Sequence, residues 1–391
     1  MRVIFVTSVT PAKENIRGIS AHPYYLIKFR PDAVDLVILT FNDNGMSQEY
    51  VENLKKDLNC DIRIVKKDRQ KSIKSFLLRL PGHDIKVTSE IKEVIISYNP
   101  DIIWTYPNYF SHWAQTIPER KFVNSAPDSL SLAWIREFND KFYKRSLLHN
   151  VYRLFYWLRY LYTEKEETVS NQIVHFVGKE DLYQYKKSFK TDNGFYLDHP
   201  HYELRDKEIK FSAPKLQILI AGNNNHFMRV GIDDMTEVLV NNQEMTNYIE
   251  FTFLGKGWDN IAVLLKQSGY RCHIVTWVDH YVDEVIKYDI QLIPISFGTG
   301  TKAKVLDAMC NGVLAIGTPL AMENIHYVNG ESAICYHFAN ELPELFQDIY
   351  NHREKYEDIA RNGREMGRFY HNPSVVSDSF FTKVKEFIQG E

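Results

Sequence analysis

Hydrophobic positions along this chain fall into short continuous runs separated by longer amphipathic stretches. That is the pattern of strands buried on both faces and helices that cover them. Val3–Thr7 reads as a first strand, followed by a polar loop holding Gly18 and a helical stretch near His22–Phe29. Asp35–Thr40, Asp61–Val65, Asp101–Trp104, Lys121–Asn124 and Asn171–Val177 read as further strands. Helices are predicted over Glu49–Leu58, Ser89–Tyr98 and Lys179–Lys187. Residues 191–214 then carry turn formers and few apolar positions, so they read as a linker. The alternation restarts with strands at Leu216–Ala221, Ile249–Leu254, Cys272–Val275, Gln291–Ile295 and Val313–Gly317. Helices are predicted at Ile232–Asn241, Trp258–Ser268, His280–Tyr288 and Lys302–Asn311. The expected fold class is α/β, with two Rossmann-like domains facing across a cleft. The first spans 1–200 and takes back a C-terminal helix within 374–391; the second spans 214–373.

Composition narrows the function. A chain of 391 residues is long enough for two ordinary domains. A formal net charge of -3 argues against a nucleic-acid partner. Cys60, Cys272, Cys310 and Cys335 form no C-x-x-C pair and read as buried small side chains in a reducing compartment, with no metal site. His199 and His201 form an H-x-H without a visible third ligand, so they read as turn residues; His22 and His112 receive no role. With no signal peptide and no apolar run of roughly 18 residues, a cytoplasmic location is expected, extending to the inner surface of a membrane.

The candidate chemistry concentrates in residues 289–325. An apolar strand runs into Phe297-Gly298-Thr299-Gly300-Thr301, a helix follows, and Gly312 stops it. A glycine turn opening a helix offers unpaired backbone N–H groups and a favourable dipole to a phosphate. Lys302 and Lys304 add positive charge, and Asp307 is placed to accept ribose hydroxyls. Each has a plainer reading as a solvated helix residue.

These residues resemble the GT-B glycosyltransferases of the large retaining family often called group 1 or family 4. The likeness rests on Pro294, Gly298 and Gly300, Lys304, Asp307-Ala308-Met309, Gly312, Val313–Ile316, Thr318 and Glu323. Upstream, Phe251–Gly257, Ile274–Asp279 and Leu216–Gly222 resemble other parts of that family's donor domain; Asn99–Ile103 and the stretch from Asp128 to Arg136 resemble segments of its first domain. The resemblance implies transfer of a hexosyl-type sugar from a nucleotide diphosphate sugar to a hydroxyl acceptor, a saccharide or a polyprenyl-linked one, in surface polysaccharide or glycolipid assembly. It implies retention of configuration, no metal and no other cofactor. It gives Lys304 and Lys302 to the leaving group and Asp307 to the ribose. Thr299, Gly300 and Thr301 belong to the phosphate loop, and Trp277 and Val278 lie beside the base. Glu323 holds the sugar or ribose. Gly18 allows close phosphate approach or is a plain flexible loop. Arg229 faces the diphosphate or is a surface arginine, and Asp128 orients the acceptor hydroxyl or caps a helix. The family's paired acids fall on Thr299 and Asp307, so the first position is not acidic here. A nucleotide-sugar 2-epimerase of the same fold and a non-catalytic transferase-like partner remain alternatives.

Residues 141–162 are basic and intensely aromatic. They fit an amphipathic helix that rests on a membrane with Arg153 and Arg159 facing the headgroups, or a helix packed on the sheet.

Overall fold

In a computed structural model, residues 1–14, 19–69, 84–126, 128–139, 147–225 and 227–390 are described. The chain divides into two units, 1–200 with 373–391, and 201–372.

The first unit is built on strands β1 (Arg2–Thr7), β2 (Asp35–Thr40), β3 (Asp61–Ile64), β4 (Ile102–Tyr106), β5 (Phe122–Ser125), β6 (Gln172–Phe176) and β7 (Gly194–Tyr196). They pair in parallel in the order β3-β2-β1-β4-β5-β6-β7. The turn-rich stretch read as a linker therefore supplies the last strand. Aromatic residues fill the core of this unit, with Phe5 and Trp104 at 4.2 Å between ring centroids. The C-terminal helix Pro373–Gln389 seals it: Phe380 meets Trp104 at 4.7 Å, and the Ser377 hydroxyl donates to the Leu26 carbonyl at 2.7 Å.

The second unit contains β8 (Leu216–Ala221), β9 (Ile249–Leu254), β10 (Cys272–Val275), β11 (Ile290–Ile293), β12 (Leu314–Gly317) and β13 (Ile334–Cys335). They too pair in parallel, in the order β10-β9-β8-β11-β12-β13. Because every strand points the same way, the loops after all six leave from one edge of the sheet.

The helix Leu147–Glu166 reverses one expectation. Arg153 and Arg159 are each 3% exposed, so they face inward and cannot reach headgroups. Arg153 lies 3.5 Å from Glu137, and the Arg159 guanidinium sits over the Tyr156 ring at 4.6 Å. The inner face is polar because a buried carboxylate network lies there: Glu164 accepts from the hydroxyls of Ser129 and Ser131. Residues 141–146, the start of the basic segment, lie outside the described residues.

Candidate functional site

In the second sheet the chain moves outward from β8 in both directions, through β9 and β10 on one side and β11 to β13 on the other. The gap between β8 and β11 is thus a topological switch point, where adjacent loops diverge and leave a crevice at the strand C-termini. The loop after β8 and the glycine loop after β11 leave the sheet on either side of this point.

Pro294 lacks the N–H to continue the ladder, so β11 ends at Ile293 and the glycine loop begins. Gly298 and Gly300 have φ of 135° and 65°, in the region that favours glycine. The following helix is Ala303–Met309, shorter at both ends than expected, with Gly312 at φ 73° just beyond it. The loop is held against the β8 exit. Phe227 and Phe297 stack at 5.4 Å and 10°, and the Ser296 N–H donates to the Phe227 carbonyl at 3.2 Å. Gly231, in the helix Arg229–Asn241, lets that helix press on the loop, since a Cβ there would lie 2.3 Å from the Pro294 carbonyl oxygen. Gly222 and Gly255 meet equally closely, with a Cβ on Gly255 falling 2.5 Å from the Gly222 oxygen. The Trp258 indole N–H also donates to that oxygen, at 2.9 Å.

The two lysines take different roles. The Lys302 ammonium donates to the carbonyls of Thr299 and Gly300, at 2.7 Å each. It ties the glycine loop to the start of the helix. Lys304 reaches the other way, towards β8: a Cβ placed on Gly222 would lie 2.8 Å from its ammonium nitrogen. Among the described residues that ammonium has no hydrogen-bond or ion-pair partner. Burial lowers its pKa, and the nearby Asp307 only partly opposes this.

Asp307, 8% exposed, follows one helical turn later. Its carboxylate also lacks a hydrogen-bond partner among the described residues. Burial pushes its pKa up to about 7, with Lys304 opposing the rise and Glu203 adding to it. Two opposite charges thus sit one turn apart in low-dielectric surroundings without forming an ion pair. Such charges are costly unless something satisfies them. An anion against Lys304 and a hydroxyl donor against Asp307 would meet both needs. Tyr281, whose hydroxyl accepts from the Gln291 amide at 3.1 Å, is close enough to Asp307 to feel its charge; nothing in the sequence marked it.

Of the other residues that the sequence resemblance assigned to the donor, those in the second unit follow the C-terminal ends of its strands. Thr299 and Thr301 are half-buried in the glycine loop. Arg229 is exposed in the first turn of its helix. Trp277, after β10, is 74% exposed, while Val278 packs on the core. Glu323 follows β12, whose loop is fixed to the loop after β11 by the Thr318 hydroxyl donating to the Ile295 carbonyl. Gly18 lies outside the described residues.

Asp128 belongs to the first unit, exposed between β5 and the helix Leu130–Asn139. It is not the cap of that helix: the Ser129 hydroxyl accepts from the Leu132 N–H at 3.2 Å. The Ser129 N–H is held by Asp181 at 2.6 Å, so buried carboxylates fix the loop on which Asp128 stands. The charge of Asp128 reaches Tyr106 at the end of β4. Tyr106 stacks on His22 at 5.7 Å, and His22 in turn lies 5.7 Å from His175 and 5.1 Å from His199. Burial, reinforced by the other imidazoles, holds His22 well below the ordinary histidine range and His175 at about 3, so both are neutral. Neither His22 nitrogen has a partner among the described residues. These histidines come from separate stretches of chain, and only the parallel sheet gathers them.

The fold is GT-B. Among solved structures, the chain matches sucrose-phosphate synthase from Thermosynechococcus elongatus with a TM-score of 0.69 at 12% identity, covering 100% of both chains. It matches Anabaena HepE in complex with UDP with a TM-score of 0.66 at 10% identity, over 99% of this chain and 100% of that one. It matches WaaG, a glycosyltransferase involved in lipopolysaccharide biosynthesis, with a TM-score of 0.61 at 13% identity, over 100% of both. A curated relative is the uncharacterized 44.6 kDa protein in the cps region of Klebsiella pneumoniae, 21% identical over 366 residues, which cover 89% of this chain and 90% of that protein. No family model matches the sequence.

Proposed function

We propose that this protein is a glycosyltransferase that takes a sugar from a nucleotide diphosphate donor and places it on a hydroxyl acceptor in polysaccharide or glycolipid assembly. The observation that carries this reading is the unpartnered Lys304–Asp307 pair at the switch point of the second sheet. Lys304 stabilises the charge that develops on the departing diphosphate, with the short helix behind it, so a bound cation is not required for that task. Asp307 accepts the ribose hydroxyls. The glycine loop of Thr299, Gly300 and Thr301, tied by Lys302, follows the phosphates. Arg229 approaches their outer side, and Trp277 and Val278 flank the base. Glu323 orients the sugar. Asp128 positions the acceptor hydroxyl, which belongs to a saccharide, free or polyprenyl-linked. The sugar is transferred with retention, in keeping with the sequence resemblance. Support for the donor class comes from HepE, solved with UDP and with UDP-glucose. Support for the setting comes from the cps-region relative and from WaaG.

Calorimetric titration against UDP, GDP, ADP, TDP and CMP tests the donor site. Selective binding of one diphosphate is expected; silence towards all five overturns the reading. Incubation with the matching nucleotide sugars then separates the alternatives. Transfer to an added glycan supports the proposal, with retention read from the product's anomeric NMR signals. Interconversion of the nucleotide sugar without an acceptor would mark an epimerase, and binding without turnover a non-catalytic partner.

A further inference from the structure

Tyr281, half-buried, opens the short helix Tyr281–Val285, which packs against the helix Ala303–Met309 that carries Lys304 and Asp307. Its hydroxyl oxygen accepts from the Gln291 side-chain amide at 3.1 Å. Gln291 is fully buried in β11, among Ile290, Leu292 and Ile293. An amide in the middle of such a strand is costly unless it is satisfied. Here its nitrogen is partnered by Tyr281, while its oxygen has no partner among the described residues. β11 thus keeps a polar side chain where its pattern calls for an apolar one, and the contact it gains is the one that orients Tyr281.

That orientation leaves one hydrogen over. A phenol that accepts from an amide still has its own O–H to donate. Among the described residues this O–H has no acceptor. Asp307 is in the complementary condition: its buried carboxylate has no donor, yet its charge is felt at Tyr281. Glu203, the other acid near Asp307, is already engaged by Arg205 at 3.0 Å. The field of the carboxylate favours the arrangement in which the phenol hydrogen points towards it and the amide N–H fills the lone pair behind. A donor without an acceptor therefore stands beside an acceptor without a donor, and the two make no direct hydrogen bond. One hydroxyl group placed between them completes both, because it accepts with its oxygen and donates with its hydrogen. An ionised phosphate, a carbonyl or an ammonium can do only one of the two.

We propose that Tyr281 and Asp307 together hold one ribose hydroxyl of the nucleotide, so that the protein selects ribonucleoside diphosphate donors over deoxyribonucleoside ones. This rests on the sugar-transfer reading and narrows its donor class. Without that hydroxyl, a buried donor and a buried acceptor are both left unsatisfied, and a site built in this way rejects the analogue strongly. Gln291 is a positioning residue, acting only through Tyr281.

Calorimetric titration of the full-length protein with the responding nucleoside diphosphate and its 2′-deoxy and 3′-deoxy counterparts tests this. Wild type should bind one of the two deoxy compounds about tenfold more weakly, or worse. Tyr281→Phe should lower that ratio to about threefold or less, chiefly by weakening the ribonucleotide while the deoxy compound changes little. Gln291→Leu, which keeps the phenol but removes its orienting contact, should lower the ratio as well. A general loosening of the fold would instead weaken all three ligands alike and leave the ratio standing. Equal binding of all three by wild type, which requires no variant to fold, would overturn the inference and leave the donor site in place. So would a ratio unaltered in either variant, or TDP, a 2′-deoxynucleotide, as the tightest diphosphate. Absence of binding by every nucleotide would remove the sugar-transfer reading itself, and this inference with it.

Discussion

Replacing Lys304 by methionine separates stability from binding, because the structure sets the two in opposition. In the free protein the ammonium stands beside Gly222 without a partner, and burial already lowers its pKa. A methionine of similar length removes that desolvation cost. The side chain is only half-buried, so the gain is discounted to about 1–2 kcal/mol. At about 2–4 °C per kcal/mol for a unit of this size, the unliganded melting temperature should rise by about 2–8 °C. Part of the gain is offset because Asp307 loses its favourable neighbour and is protonated more readily. Binding should move the other way. Charge-assisted hydrogen bonds to a diphosphate contribute about 1.5–3 kcal/mol, so the Kd should rise roughly 10- to 150-fold. Thermal denaturation with and without the responding nucleotide, combined with calorimetry, reads both quantities in one preparation. A lower unliganded melting temperature with unchanged affinity would refute the reasoning and make Lys304 a structural residue.

Three further outcomes follow from the same geometry. Because the Asp307 pKa is raised to about 7, its contribution to stability is present below the unfolded value near 4 and lost as pH rises through 7. The ionised form accepts ribose hydroxyls, so nucleotide affinity should increase about tenfold from pH 6 to 8, and Asp307→Asn should flatten that rise in calorimetric titrations. Gly231→Ala puts a methyl 2.3 Å from the Pro294 carbonyl, so it should push the glycine loop away and cost about 2 kcal/mol or more, read as a lower melting temperature together with weaker nucleotide binding. Trp277→Ala removes an exposed ring; it should leave the melting temperature within a degree while weakening nucleotide affinity several-fold, and unchanged affinity would remove Trp277 from the base site.

The sequence by itself determined the α/β class, nearly every strand, and the glycine loop between an apolar strand and a short helix. These are local matters. A doubly covered strand writes itself as an unbroken apolar run, and a turn with positive φ selects glycine at Gly298, Gly300 and Gly312. Tertiary structure decided what each charged side chain does. Lys302 and Lys304 are two residues apart and equal in charge, yet one binds its own loop carbonyls and the other reaches the neighbouring strand's exit. That difference depends on β8 lying next to β11, which no local pattern records. Tyr281 and the His22–His175 stack escaped for the same reason, as their neighbours are distant in sequence. The helix Leu147–Glu166 shows the limit most clearly. Both of its faces carry bulky side chains, so periodicity gave two faces but not their sense. The buried carboxylates against the inner side made it the home of the arginines and left the leucines facing outward.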